Sequence, residues 1–110
     1  MEAMFSEMGG ALVVVPRGHL DTSTAPEVEK EVTTRIEAGA CRVVFDLQRT
    51  EYVSSAGLRV ILKAAKQAKN GGGALAICQA NEHILEVLDL SGFLSVINHL
   101  DNLDEALKAV

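Results

Sequence analysis

Tryptophan is absent and aromatic residues make up only 4% of the chain, so any core must be aliphatic. Two cysteines are too few for a disulfide framework. Cys41 and Cys78 lie far apart, each beside an apolar run and neither in a C-x-x-C pair, so both read as buried free thiols. No apolar run approaches the ~18 residues of a membrane span. Met1-Glu2-Ala3-Met4 carries an acid where a signal peptide would carry a base, which makes the cytoplasm the expected location. A basic run is missing too. Ten scattered Lys and Arg face fifteen Asp and Glu, for a net charge of −5. That balance argues against nucleic acid or an anionic membrane as the main partner.

The usual catalytic patterns are also missing. No serine sits in a G-x-S-x-G elbow, and His19, His83 and His99 show neither H-x-x-x-H nor H-E-x-x-H spacing. The acids are dispersed, as on solvated helix faces, and outline no metal site. Gly71-Gly72-Gly73 precedes a strand-like run, whereas phosphate-cradling glycines precede a helix. These absences lead us to expect a protein that is not an enzyme and needs neither metal nor cofactor.

What the 110 residues do contain is an alternation of strand and helix signals. Phe5–Met8 and the apolar run Ala11–Val15, joined by Gly9-Gly10, predict an antiparallel hairpin with its first strand at an edge. Pro16 should end the second strand or lie at a sheet edge. Residues 18–23 read as a loop, and Thr24-Ala25-Pro26-Glu27 as a capping box opening a helix with Val28, Val32 and Ile36 on its buried stripe. Arg42–Leu47 reads as a strand. A second helix follows with Leu58, Ile61, Leu62 and Ala65 as its stripe, stopped by Gly71-Gly72-Gly73. Ala74–Cys78 is a third buried strand. Asn81 should cap a short helix over Ile84, Val87 and Leu88. Phe93, Leu94, Val96 and Ile97 supply a last strand, and Asn102 caps a C-terminal helix with Leu103, Ala106, Leu107 and Val110 on one side. The order β-β-α-β-α-β-α-β-α predicts one α/β domain over residues 1–110, with four helices on a mixed, mostly parallel sheet that opens with an antiparallel strand.

One junction carries chemistry. Tyr52-Val53-Ser54-Ser55-Ala56-Gly57-Leu58 joins a strand to the most regular helix, so two hydroxyls stand where a helix leaves amides unpaired and its dipole positive. A serine there is a cap, a phosphate acceptor, or both. A small nucleotide held between Asp21 and Ser55 is a further reading, resting on the helix N-termini alone.

The whole chain resembles the STAS domain of bacterial anti-sigma factor antagonists. Three stretches carry the resemblance: Gly18-His19-Leu20-Asp21 followed by Ala25; Val43–Leu47 through Tyr52–Leu58; and Leu90-Ser91-Gly92-Phe93. It implies a partner switch. The unphosphorylated antagonist binds an anti-sigma factor that is also a serine kinase with a histidine-kinase-like ATPase fold, and so frees a sigma factor. Phosphorylation breaks the complex, and a metal-dependent serine phosphatase resets it. The family motif is D-S-[ST]-G; aligned on Gly57 and Leu58, Ser55 takes the acceptor position. Ser54 replaces the acid, as a cap or alternative acceptor, and Ala56 replaces the second hydroxyl. The implied partner-binding residues are Asp21, Ser54, Ser55, Ala56, Gly57, Leu58 and Arg59, with Asp21 read alternatively as a turn former. A STAS interaction module in a lipid-transport or stress-signalling complex, with both serines as caps, is the alternative function. Dimerisation is left open, a weak homodimer included.

Overall fold

Apolar residues fill the central strand runs at 11–14, 43–45 and 75–78 with no polar face left over, and the sheet is covered on both sides there. The computed structural model describes residues 2–110, with Met1 outside the described residues. Strands β1 (Glu2–Met8) and β2 (Ala11–Leu20) form the antiparallel hairpin. β3 (Arg42–Asp46), β4 (Thr50–Val53), β5 (Ala74–Cys78) and β6 (Asn98–Leu100) are all paired in parallel. The order is β1-β2-β3-β5-β6, with β4 paired to β2.

Side chains alternate between two cores, as the period of two demands. Leu12, Val14, Val43, Phe45, Leu75 and Ile77 face helices α1 (Ala25–Glu37), α2 (Ser55–Asn70) and α3 (Glu82–Leu90). Val13, Val44, Ala76 and Cys78 face the opposite way, where α4 (Leu103–Ala109) covers them with Leu103, Ala106 and Leu107. Asn81 and Asn102 cap α3 and α4 as expected, accepting from Ile84 and Glu105 N–H groups at 2.8 and 2.9 Å.

Several expectations need correction. First, β2 does not stop at Pro16 but runs on to Leu20, so residues 18–20 belong to a strand rather than a loop. The proline is tolerated because it falls between two pairings. Leu12–Val14 pair with β3, whereas Gly18–Leu20 pair with β4 across a bulge at Gly18 and His19. Gly18 there takes φ +78°, a conformation that favours glycine. Second, β4 is an extra strand where no strand was expected. Third, Phe93–Ser95 form a 3-10 turn, and the last strand lies beyond them at Asn98–Leu100.

Fourth, the buried stripe of α2 is Gly57, Val60, Ile61, Ala64 and Ala68, while Leu58, Leu62 and Ala65 are only half-buried. Packing against α1 and the sheet selects small residues that a search for large apolar ones passes over. Fifth, Thr24 makes no capping bond to α1. Its hydroxyl instead donates to the His19 carbonyl at 2.8 Å and accepts the Asp21 N–H at 2.9 Å. Of the two thiols, Cys78 is buried but Cys41 only half-buried.

Arg42, on β3, ties two remote segments together. Its guanidinium donates to the carbonyls of Gly9, Val110 and Leu107 at 2.8, 3.0 and 3.4 Å, joining the hairpin turn to the last helix. Arg42→Ala should cost about 2–3 kcal/mol in urea denaturation. Arg42→Lys should recover only part of that, because an ammonium lacks the planar fork.

Candidate functional site

The site is built where β2 and β4 end side by side. Leu20 pairs with Val53, and the chain then turns into α2 with the Ser54 N–H donating to the Leu20 carbonyl at 2.9 Å. Ser54 has extended backbone angles, φ −87° and ψ 177°, and its Oγ accepts from the Gly57 N–H at 3.4 Å. It is therefore the cap of α2. Ser55 is the first helical residue and is exposed. The two hydroxyls are thus not equivalent: one is committed to the helix and the other faces outward.

Gly57 holds the arrangement in place. It is buried, and a Cβ there would collide with the Leu20 carbonyl oxygen and with the side chains of Leu20 and Val53. The first turn of α2 can seat on the strand ends only with glycine at this position. Ala56 and Leu58 are half-buried against the same core, and Arg59 is exposed. Arg59 stands one turn beyond Ser55, the i, i+4 spacing that puts two side chains on one helix face.

Asp21 follows Leu20 directly, so its loop and the two serines share one corner of the molecule. Its carboxylate is turned into its own loop. Oδ1 accepts from Ser23 Oγ and N at 2.8 and 3.0 Å and from Thr24 N at 3.3 Å. The Ser23 hydroxyl and amide, with Thr24, hold its pKa below the ordinary 3.8. The turn-forming reading of Asp21 is the one these bonds describe, and the turn adjoins the strand end on which α2 is seated.

Two features have no counterpart in the sequence pattern. Tyr52, the chain's single tyrosine, is exposed on β4 and lies between His19 and His83. Its ring meets His19 edge-on at 5.7 Å and stacks on His83 at 6.3 Å. Finding that cluster requires β4, which pairs Tyr52 with His19. Asn81, expected only as a cap, also donates from Nδ2 to the Thr50 and Glu51 carbonyls at 3.4 and 3.2 Å, steadying β4. Elsewhere, burial and the neighbouring Asp46 push the Cys78 thiol up to about 12, so it stays protonated. Among the described residues no three His, Cys, Asp or Glu form a metal cluster, and no helix is long and apolar enough to cross a membrane.

An α/β domain that presents one outward hydroxyl at a helix start, beside an aromatic and charged rim, has the features of an interaction module. Residues 2–106 match the STAS domain, and the chain belongs to that family. It is 36% identical over 109 residues to the Bordetella bronchiseptica protein named as anti-sigma factor antagonist BtrV, covering 99% of this chain and 94% of that one. To an anti-sigma F factor antagonist of Paenibacillus polymyxa it is 32% identical over 99 residues, covering 89% and 85%. Among solved structures, an anti-sigma factor antagonist of Thermotoga maritima shares the fold at TM-score 0.92 and 23% identity, over 98% of this chain and 93% of that one. The phosphorylated form of the Bacillus cell fate determinant SpoIIAA shares it at TM-score 0.77 and 16% identity, over 98% of both chains.

The serines should separate in stability measurements. Ser54→Ala should cost about 0.5–1 kcal/mol in urea denaturation, and Ser55→Ala no more than about 0.5 kcal/mol. Asp21 should reveal itself in acid. A carboxyl whose folded pKa lies below its unfolded value adds stability that is full above 3.8 and lost as the pH falls through the lower folded value. The wild type should therefore lose melting temperature below that pH, and Asp21→Asn should lose less over the same window.

Proposed function

We propose that the chain is an anti-sigma factor antagonist whose binding is switched off by phosphorylation of Ser55. The observation that carries the reading is the division of labour at α2: Ser54 caps the helix, leaving Ser55 exposed at its first position. A phosphate there meets the positive end of the dipole, so the free domain can carry it without unfolding. The names of the relatives supply the partner class, an anti-sigma factor.

In the proposed cycle the unphosphorylated face over Asp21 and Ser54–Arg59 docks on an anti-sigma factor that is also a serine kinase with a histidine-kinase-like ATPase fold. The Ser55 Oγ attacks the γ-phosphorus of ATP. A serine ester O–P bond forms, the anhydride bond breaks, ADP leaves, and the hydroxyl proton passes to a base of the kinase. About two added negative charges then face a surface fitted to a neutral hydroxyl. A penalty of ~4 kcal/mol would weaken binding nearly a thousandfold. A metal-dependent serine phosphatase hydrolyses the ester and restores the hydroxyl. The cycle is set in the cytoplasm, and this chain acts in it as a binding protein. The alternative of a constitutive module makes both serines caps, whereas only Ser54 has that role here.

Incubation with the cognate anti-sigma kinase and ATP, followed by phosphosite mapping by mass spectrometry, should place one phosphate on Ser55. Ser55→Ala should bind the kinase and stay unmodified, Ser54→Ala should still be phosphorylated, and Ser55→Glu should bind at least about a hundredfold more weakly. An unmodified wild type, or a Ser55→Glu protein with undiminished binding, would remove the switch.

A further inference from the structure

The geometry points to a second binding site, for a single-chain anionic amphiphile such as an acyl carboxylate, in the groove between the C-terminal half of α2 and strands β5 and β6. The groove holds about 510 Å³, within the ~300–1,000 Å³ of small-molecule clefts. Leu62, Ala65, Leu75, Val96 and Ile97 give it an aliphatic lining. Val96 is 69% exposed at the rim of the groove.

The charged groups of the lining are Lys66 and Lys69, and no acid joins them. Their helix departs from the rest of the chain. All of its charges are cations, Arg59, Lys63, Lys66 and Lys69, in a protein with fifteen acids and a net charge of −5. Lys63 is paired with Glu29 at 3.6 Å, whereas the two lysines of the groove make no such pair among the described residues. Lys69, in the last turn, also complements the helix dipole; Lys66 lies outside that turn.

The lining narrows the ligand class. No aromatic ring is present to stack a base, and Asn98 is the one neutral polar side chain, so a nucleotide or a sugar would find few partners. A cation would meet two ammonium groups. A compact oxyanion would leave the apolar wall uncovered. An aliphatic chain ending in an anion satisfies both parts, with the chain on the leucine and valine surface and the head at Lys66 and Lys69.

The test is an NMR titration of the ¹⁵N-labelled full chain with sodium decanoate below its micelle concentration, against decanol and acetate. The expected result is saturable shifts for decanoate at amides of the groove, including Ala65, Leu75, Val96 and Asn98, with weaker shifts for decanol and none for acetate. The double variant Lys66→Glu, Lys69→Glu should bind decanoate about tenfold more weakly or worse. Both side chains are exposed, so its melting temperature should fall only by the small amount that an acid at the end of the α2 dipole costs, and its spectrum should remain that of a folded chain. Ala65→Trp, which fills the groove, should abolish the shifts, provided its spectrum remains that of a folded chain. Equal binding of decanol and decanoate, affinity unchanged by the double charge reversal, or shifts scattered away from the groove would each overturn the assignment.

Discussion

Everything at the candidate site depends on how closely α2 approaches the ends of β2 and β4. The approach is set by one absent side chain. With no Cβ at Gly57, the first turn of α2 rests on the Leu20 carbonyl and on Val53, and Ser54 donates its N–H to that same carbonyl. A larger residue would have to lift the turn off the strands. Lifting it would break the Ser54 bond and move both hydroxyls relative to the Asp21 loop. The position of Ser55 is therefore fixed by backbone geometry at the sheet rather than by contacts of its own. Its exposed side chain can change chemically while the scaffold beneath it stays as it is.

The same geometry explains how Ser54 can take the place of the acid that the resemblance implies there. Asp and Ser are nearly equal as helix caps, because each offers a side-chain oxygen to the amides of the first turn. Ser54 performs that task through the Gly57 N–H. The substitution keeps the cap and removes only a charge, leaving the first turn of α2 without an acidic residue. Asp21, the nearby acid of the adjoining loop, spends Oδ1 on the Ser23 and Thr24 groups of its own turn. Seen from a partner, the corner is an outward hydroxyl with cations further along the helix.

Much of this was legible in the residues, and the failures have physical causes. The hairpin, the three central strands, the N-caps of α3 and α4, and the α2 junction all rest on short-range rules that the surroundings do not oppose. Pro16 misled because a proline ends a strand only if its missing N–H is needed, and β2 changes partners beside it. Four-residue β4 carries no hydrophobic period of its own; it is held by pairing with β2 and by the Asn81 side chain. Ala64 and Ala68 lie on the buried face of α2 without marking it in the sequence, because close helix packing rewards small residues, which carry little hydrophobic signal. Residue chemistry left Ser54 and Ser55 open and only the family resemblance separated them, because which hydroxyl caps depends on the turn the chain takes at Ser54 against the Leu20 carbonyl. That turn is a tertiary fact.

The charge distribution along α2 gives the proposed switch a second lever. Ser55 and Arg59 share a helix face at i, i+4, the spacing at which opposite charges pair. A phosphate on Ser55 would add negative charge and also draw the exposed guanidinium toward itself, in the charge-assisted geometry that arginine and phosphate favour. A partner that used Arg59 to hold an acid would then lose that cation at the moment it met the new anion. The two effects have the same sign and arise from one modification. Neither requires the fold to move, because Ser54 and Gly57 keep α2 seated on the sheet. The proposed switch therefore acts at the surface and leaves the core beneath it unchanged.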